Sequence, residues 1–225
     1  RKLTREAEQP VTGSIEKFDF QAGALGLFFR SLWFLIASAF LIPIPWIICW
    51  FSRWFASQVR LGDRRTLEFR GTLRSVAIVA ILWGLLLVFV FVDESESGLE
   101  WGGVIENLAA IPLGWVGWRW FVSHTQLEGR SFRFDGSFWG YLGWSLFGGV
   151  SLLTIIGWAW VTAAFYRWIA RHVQDAGGQI RFTGKGHQIL WRTVVVVLGC
   201  FTIVGIPWFL LWYLRWLVRQ TELVA

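Results

Sequence analysis

Long apolar stretches alternate along this chain with short segments in which every second residue is apolar. The run "SVAIVAILWGLLLVFVFV" (75–92) carries no charge, and "WRTVVVVLGCFTIVGIPWFLLWYL" (191–214) carries only Arg192. A helix needs about 20 largely apolar residues to cross a bilayer, so these runs predict transmembrane helices. Their unbroken apolarity excludes a transmembrane β-barrel, whose strands alternate apolar and polar residues. The short segments do alternate. Phe18/Phe20, Leu67/Phe69, Phe132/Phe134 and Ile180/Phe182 each stand just before a glycine, with the period of a strand.

These elements recur in a fixed order. An Arg-Trp pair appears at Arg53, Arg119, Arg167 and Arg215, with spacings of 66, 48 and 48 residues. The glycines closing the alternating segments, Gly23, Gly71, Gly136 and Gly184, are spaced by 48, 65 and 48. Two anchors with one period define an internal repeat, interrupted once by the acidic stretch "DESESGLEWGG" (93–103). Each unit is an alternating segment, an apolar helix, a Pro/Gly turn, and a return helix bearing the Arg-Trp pair. The predicted fold is therefore all-α: a polytopic membrane protein of four helical hairpins, about eight transmembrane helices, with short cytoplasmic strand segments between repeats. A polar segment, 1–17, precedes a single membrane domain of four repeats, 18–66, 67–131, 132–179 and 180–225. The strand segments either pair with one another or serve as extended linkers, since isolated strands are unstable in water.

Composition sharpens this expectation. Hydrophobic residues make up 55% of the chain and charged ones 16%, with 18 Trp and no Met; that charge content is low for a soluble domain. The net charge of +6 arises from Lys and Arg gathered at the strand end of every hairpin, while the one sizeable opposite loop holds Asp93, Glu94, Glu96 and Glu100. By the positive-inside rule both termini are expected in the cytoplasm, and the basic balance implies membrane topology, not nucleic acid. The N-terminal segment lacks the apolar core of a signal peptide. Cys49 and Cys200 lie within apolar runs, which speaks against a disulfide or a Cys-based metal motif.

The candidate chemistry is sparse. There is no nucleotide-binding loop, no HExxH, no Gly-x-Ser-x-Gly and no pair of carboxylates within the apolar runs, so the chain is read as not an enzyme, with no cofactor and no metal. The pairs Arg53/Trp54, Arg119/Trp120, Arg167/Trp168 and Arg215/Trp216 are the candidate sites. Each is either a snorkelling anchor at headgroup depth or part of an inward-facing ring of arginines. In both cases a guanidinium at that depth favours an anionic phosphate. His124 and His172 share one repeat position with Gln58 and Gln220, which suggests a hydrogen-bonding site. Glu106, beside Asn107, marks a helix start or a proton relay.

The pattern F-x-F-x-G, an apolar helix, "LLTIIGWAW" or "FTIVGIPW", Arg-aromatic, then "HTQLEGRSFRFDG" resembles the YjgN family of polytopic bacterial inner-membrane proteins of unknown function. Residues 132–223 carry the resemblance best; the first two units depart from it, as in "FLIPIPW", which lacks the Thr. The resemblance implies a multi-pass location in the bacterial inner membrane and repeat architecture, but no activity. Two functions compete. The first is a non-catalytic scaffold or accessory subunit contacting anionic lipid headgroups and other membrane proteins, or further copies of itself. The second is a small transporter or channel for an anionic solute or lipid, its path lined by the repeated arginines.

Overall fold

The structure, a computed structural model, describes residues 15–38, 44–62, 65–77, 80–82, 84–85, 101–175, 178–201 and 205–224. Residues 1–14 of the polar N-terminal segment, the acidic residues Asp93, Glu94, Glu96 and Glu100, most of the 75–92 run and the side chain of Glu106 lie outside them.

The alternating segments are strands, and they join. They form β1 (Ile15–Phe20), β3 (Arg65–Phe69), β5 (Arg130–Ser131), β6 (Arg133–Phe134) and β8 (Gly178–Phe182). Residues just after the Arg-Trp helices form β2 (Val59–Leu61), β4 (Thr125–Leu127), β7 (Val173–Asp175) and β9 (Thr221–Val224). All nine lie in one antiparallel sheet, ordered β5-β4-β3-β2-β1-β9-β8-β7-β6. The two ends of that order, β5 and β6, are separated in the chain by Phe132 alone, whose N–H donates to the Thr125 carbonyl at 3.1 Å. The sheet is thus a nearly closed barrel, and the chain itself crosses the seam.

Register fixes where the helices leave. Phe20 pairs with Val59, Phe69 with Thr125, Phe134 with Val173 and Phe182 with Thr221. Each pair joins the last residue before a helical insertion to the first residue after it, so all four insertions leave the same end of the barrel. The opposite end carries the turns. In one of them Glu128 and Gly129 both have positive φ, 51° and 81°, the requirement of a two-residue hairpin loop.

Helices α1 (Ala24–Ser38), α2 (Ile44–Gln58), α3 (Trp101–Ser123), α4 (Phe138–Ser151), α5 (Trp158–Arg171), α6 (Gly186–Cys200) and α7 (Ile206–Arg219) fill the insertions. Residues 73–77, 80–82 and 84–85 are also helical. Helix α1 packs on α2, α3 on α4, α4 on α5, α5 on α6 and α6 on α7, and α7 packs back on α1.

The expectation of an all-α polytopic membrane protein is overturned. A nine-stranded sheet organises the chain, and no described helix is long and apolar enough to cross a membrane. The transmembrane helices and the multi-pass inner-membrane placement with cytoplasmic termini fall with that expectation. The physical reason lies in the turns. Six of the helices have 14 or 15 residues, about 21–22 Å at 1.5 Å per residue, against about 30 Å of hydrocarbon. The third is 23 residues long but contains Pro112 and Arg119. The apolar run at 191–214 belongs to two helices, α6 and α7, and not to one. At Leu152–Thr154 the helix tightens to a 3-10 turn and Ile155 adopts φ 55°, a conformation that strains a β-branched residue. The break at Leu152–Gly157 falls at the Pro/Gly turn expected for that unit, but the helices on either side are shorter than the roughly 20 residues expected.

The main core lies inside the barrel mouth, where inward positions of the strands meet the return helices. Phe18, Phe20, Val59, Leu61, Leu127, Phe132, Phe134, Val173 and Leu223 are all buried there. Burial of each large side chain stabilises the fold by about 1.5–3 kcal/mol. A second cluster joins Ala159, Ala163, Ile189 and Trp216 between α5, α6 and α7, where alanines allow close helix contact.

Candidate functional site

The four repeated arginines occupy the junction between barrel and helices, and they act between units. Arg53 Nη2 donates to the Gly71 carbonyl at 2.9 Å and Arg167 Nη2 to the Gly184 carbonyl at 3.2 Å. Each reaches from one unit to the glycine that opens the next. Arg215 Nη2 donates at 2.9 Å to the carbonyl of Ala22, 193 residues away, tying the fourth unit to the first. Ala22 therefore holds the place that the sequence period assigns to Gly23. At the remaining junction the Gly136 carbonyl accepts from Trp115 Nε1 at 3.2 Å, and the Arg119 guanidinium lies over the Trp115 ring, 5.4 Å from its centre. A charge-assisted bond of this kind contributes about 1.5–3 kcal/mol.

The tryptophans beside these arginines pack into the protein. Trp120 meets Phe69 edge-on and donates to Ser75 Oγ at 3.1 Å. Trp168 meets Phe134, Trp216 is buried against Tyr213, and Trp54 carries the Arg30 guanidinium on its face. The exposed tryptophans among the described residues are others: Trp33, Trp46, Trp50, Trp118, Trp139, Trp160, Trp191, Trp208 and Trp212.

The two repeated histidines end helices. His124 Nδ1 lies 2.8 Å from the Trp120 carbonyl and His172 Nδ1 lies 2.7 Å from the Trp168 carbonyl. Each ring thus meets a carbonyl in a last helical turn, where the nitrogen facing it carries the proton; the Trp120 carbonyl also accepts from the His124 backbone N–H at 3.2 Å. The backbone carbonyls of Gln58, His124, His172 and Gln220 accept in turn from the N–H of Gln21, Arg70, Asp135 and Thr183. The shared position of His and Gln is thus one backbone junction repeated in every unit. No group of three or more His, Cys, Asp or Glu suited to a metal occurs among the described residues.

On the barrel axis lies an apolar chamber of about 400 Å³, lined by residues of every unit, among them Phe55, Trp118, Phe121, Tyr166, Ile180 and Leu217. None of the four arginines lines it. Burial, with Tyr213 adding to it, pushes the Tyr166 hydroxyl above the ordinary tyrosine range. A chamber so poor in polar groups hosts water badly and offers an anion no cationic partner.

The outer surface of the helices is apolar to its far end. Leu153, Ile155 and Phe201, at the turns farthest from the barrel, are each 83% exposed, and Trp139 is 76% exposed. Within this surface Arg192 is enclosed by the rings of Trp191, Trp212 and Trp216, at 4.8, 5.2 and 4.4 Å. Burial lowers its pKa, opposed by Tyr213, and its Nε is buried without a hydrogen-bond partner. Sequence reasoning selected the Arg-Trp pairs by their recurrence, yet the exposed apolar set recurs less regularly and is signalled only by its place in the turns.

No protein-family model, curated protein or solved structure matches this chain.

Proposed function

We propose that this protein is a non-catalytic scaffold that docks on an anionic lipid surface, with the helical turns dipping part-way into the lipid and the barrel remaining outside. The observation that carries this reading is the one-sided exposure of Leu153, Ile155 and Phe201 at the ends farthest from the barrel. Exposed apolar patches of this kind mark interaction surfaces. Lipid is favoured over a protein partner because exposed tryptophans border this apolar surface at both ends of the helices, Trp139 beside the barrel and Trp46, Trp160 and Trp208 beside the far turns, and such amphipathic rings favour a lipid–water interface. The helices are too short to cross, and crossing forms no part of the reading. Transfer of the three turn side chains into lipid contributes roughly 4–7 kcal/mol.

Flotation with vesicles of phosphatidylcholine and phosphatidylglycerol tests it. Wild type floats, and the triple variant Leu153→Asp/Ile155→Asp/Phe201→Asp remains at the bottom with an unchanged far-ultraviolet circular dichroism spectrum. A wild type that stays at the bottom, or a triple variant that floats equally well, refutes the reading.

A further inference from the structure

Between α5 and β8, on the outside of the barrel, lies a concavity of about 650 Å³ lined by Arg167, Arg171, Arg181 and Lys185 together with Gln179 and Thr183. No carboxylate lines it, and none of the four cations forms an ion pair with a described residue. The nearest acid in the strand register, Glu222 opposite Arg181, is paired with Lys17 at 3.5 Å. The internal repeat supplies a comparison within the same molecule. The corresponding residues at the first junction are Arg53, Ser57, Glu68 and Thr72, and at the second Arg119, Ser123, Arg133 and Ser137. At the junction of the fourth unit with the first, Arg215 and Arg219 face Asp19, which binds Arg219 at 2.8 Å. One scaffold position is thus built four times, and only between the third and fourth units does it gather four positive charges with no ion-pair partner among the described residues.

We propose that this concavity binds a phosphate monoester. Two or more guanidinium forks and an ammonium match its three acceptor oxygens and its second negative charge. The choice of a lipid headgroup as its source rests on the lipid-surface reading above. Arg167 is already bonded to the Gly184 carbonyl and positions the wall, whereas Arg171, Arg181 and Lys185 are exposed and free to meet the ligand.

The test compares phosphatidylcholine vesicles doped with phosphatidic acid, a monoester, with vesicles of equal surface charge doped with phosphatidylglycerol, a diester. Wild type prefers the monoester vesicles. Arg171→Gln/Arg181→Gln/Lys185→Gln weakens that binding by roughly 100-fold, from about 1 kcal/mol per cation, and removes the preference while flotation with the phosphatidylglycerol vesicles persists. The control Arg60→Gln/Arg70→Gln/Arg74→Gln keeps the preference. Failure of the turn variants to change flotation refutes the lipid-surface reading, whereas failure here leaves flotation intact and removes only the selectivity. Equal binding to both vesicle types, or a control that loses the preference equally, overturns the site. Glycerol 3-phosphate binding to wild type and not to the variant, with no vesicle preference, retains the phosphate chemistry and overturns the lipid source.

Discussion

Replacing Gly184 by alanine isolates the contact on which each unit is built. A Cβ at Gly184 would overlap the ring of Phe182, as one at Gly71 would overlap Phe69 and one at Gly136 would overlap Phe134. The glycine is required for space, because the Phe two residues earlier folds its ring over the glycine Cα. Overpacking of this kind costs about 1–3 kcal/mol, offset by about 0.4–1 kcal/mol from the stiffer unfolded chain. The net expectation is a loss of about 0.5–2.5 kcal/mol. Phe182→Ala alone empties a buried ring site (Phe182 is 6% exposed) and costs about 3–5 kcal/mol. In the double variant the alanine methyl enters the vacated space, so the combined cost falls below the sum by about 1–3 kcal/mol. Urea titration of all four proteins in one detergent, followed by near-ultraviolet circular dichroism, measures the cycle. Gly143, in α4, supplies the opposite sign: nothing lies within 4 Å of its added Cβ, so Gly143→Ala stabilises by up to about 1 kcal/mol. Strict additivity at residues 182 and 184, or a stabilised Gly184→Ala, refutes the account. The first unit fits it: Phe20 tilts onto Phe55 at 5.3 Å, and there the chain carries Ala22.

The junction arginines differ in bonding and so in cost. Arg53→Ala and Arg215→Ala each leave a backbone carbonyl without its donor and lower stability by about 1.5–3 kcal/mol, whereas Arg119→Ala, which loses a ring contact, costs about 0.5–1 kcal/mol; denaturant midpoints rank the three. His172→Gln restores the residue native to the equivalent positions 58 and 220 and leaves the melting temperature unchanged, while His172→Ala frees the Trp168 carbonyl and lowers stability by about 0.5–1.5 kcal/mol. Burial raises the Cys49 thiol pKa, with Arg53 opposing, so at a given pH its thiolate fraction is smaller than that of a free cysteine. In a Cys200→Ser background, iodoacetamide therefore labels native protein slowly at pH 8 and unfolded protein rapidly; equal rates contradict the burial.

Much of this unit was legible. The period of 48 residues and the alternation at Phe18/Phe20 and Ile180/Phe182 are local signals, carried by residues a few positions apart. At two junctions the repeated arginine donates to the repeated glycine, and at a third to Ala22 in its place, although the period alone does not say so. The turn at "TIIGW" (154–158) was legible from its glycine, but the helix before it ends earlier, at Ser151, because the apolar Leu152–Thr154 already forms a 3-10 turn. Ring closure was invisible because the partners of β1 and β9 are some 200 residues apart, and no local propensity reports that pairing. The four cations were in plain view. They emerge when each unit is compared position by position, four residues after the repeated Arg and one before the repeated Phe.

The pairing of β1 with β9, joined by the Arg215 bond to Ala22, gives the four units a cyclic order. In an open stack of repeats the outermost units lack a neighbour and need polar caps to stay soluble. Here every unit has a neighbour on each side, so none serves as a cap. A circular permutant that joins the chain across β1 and β9 and opens it between Glu128 and Gly129 keeps the same neighbours for every unit, since that turn lies at the barrel end away from the helices. The unit that comes first in translation then has no standing in the folded molecule, and what distinguishes one unit from another lies in its own residues, among them the charges each sets at its junction.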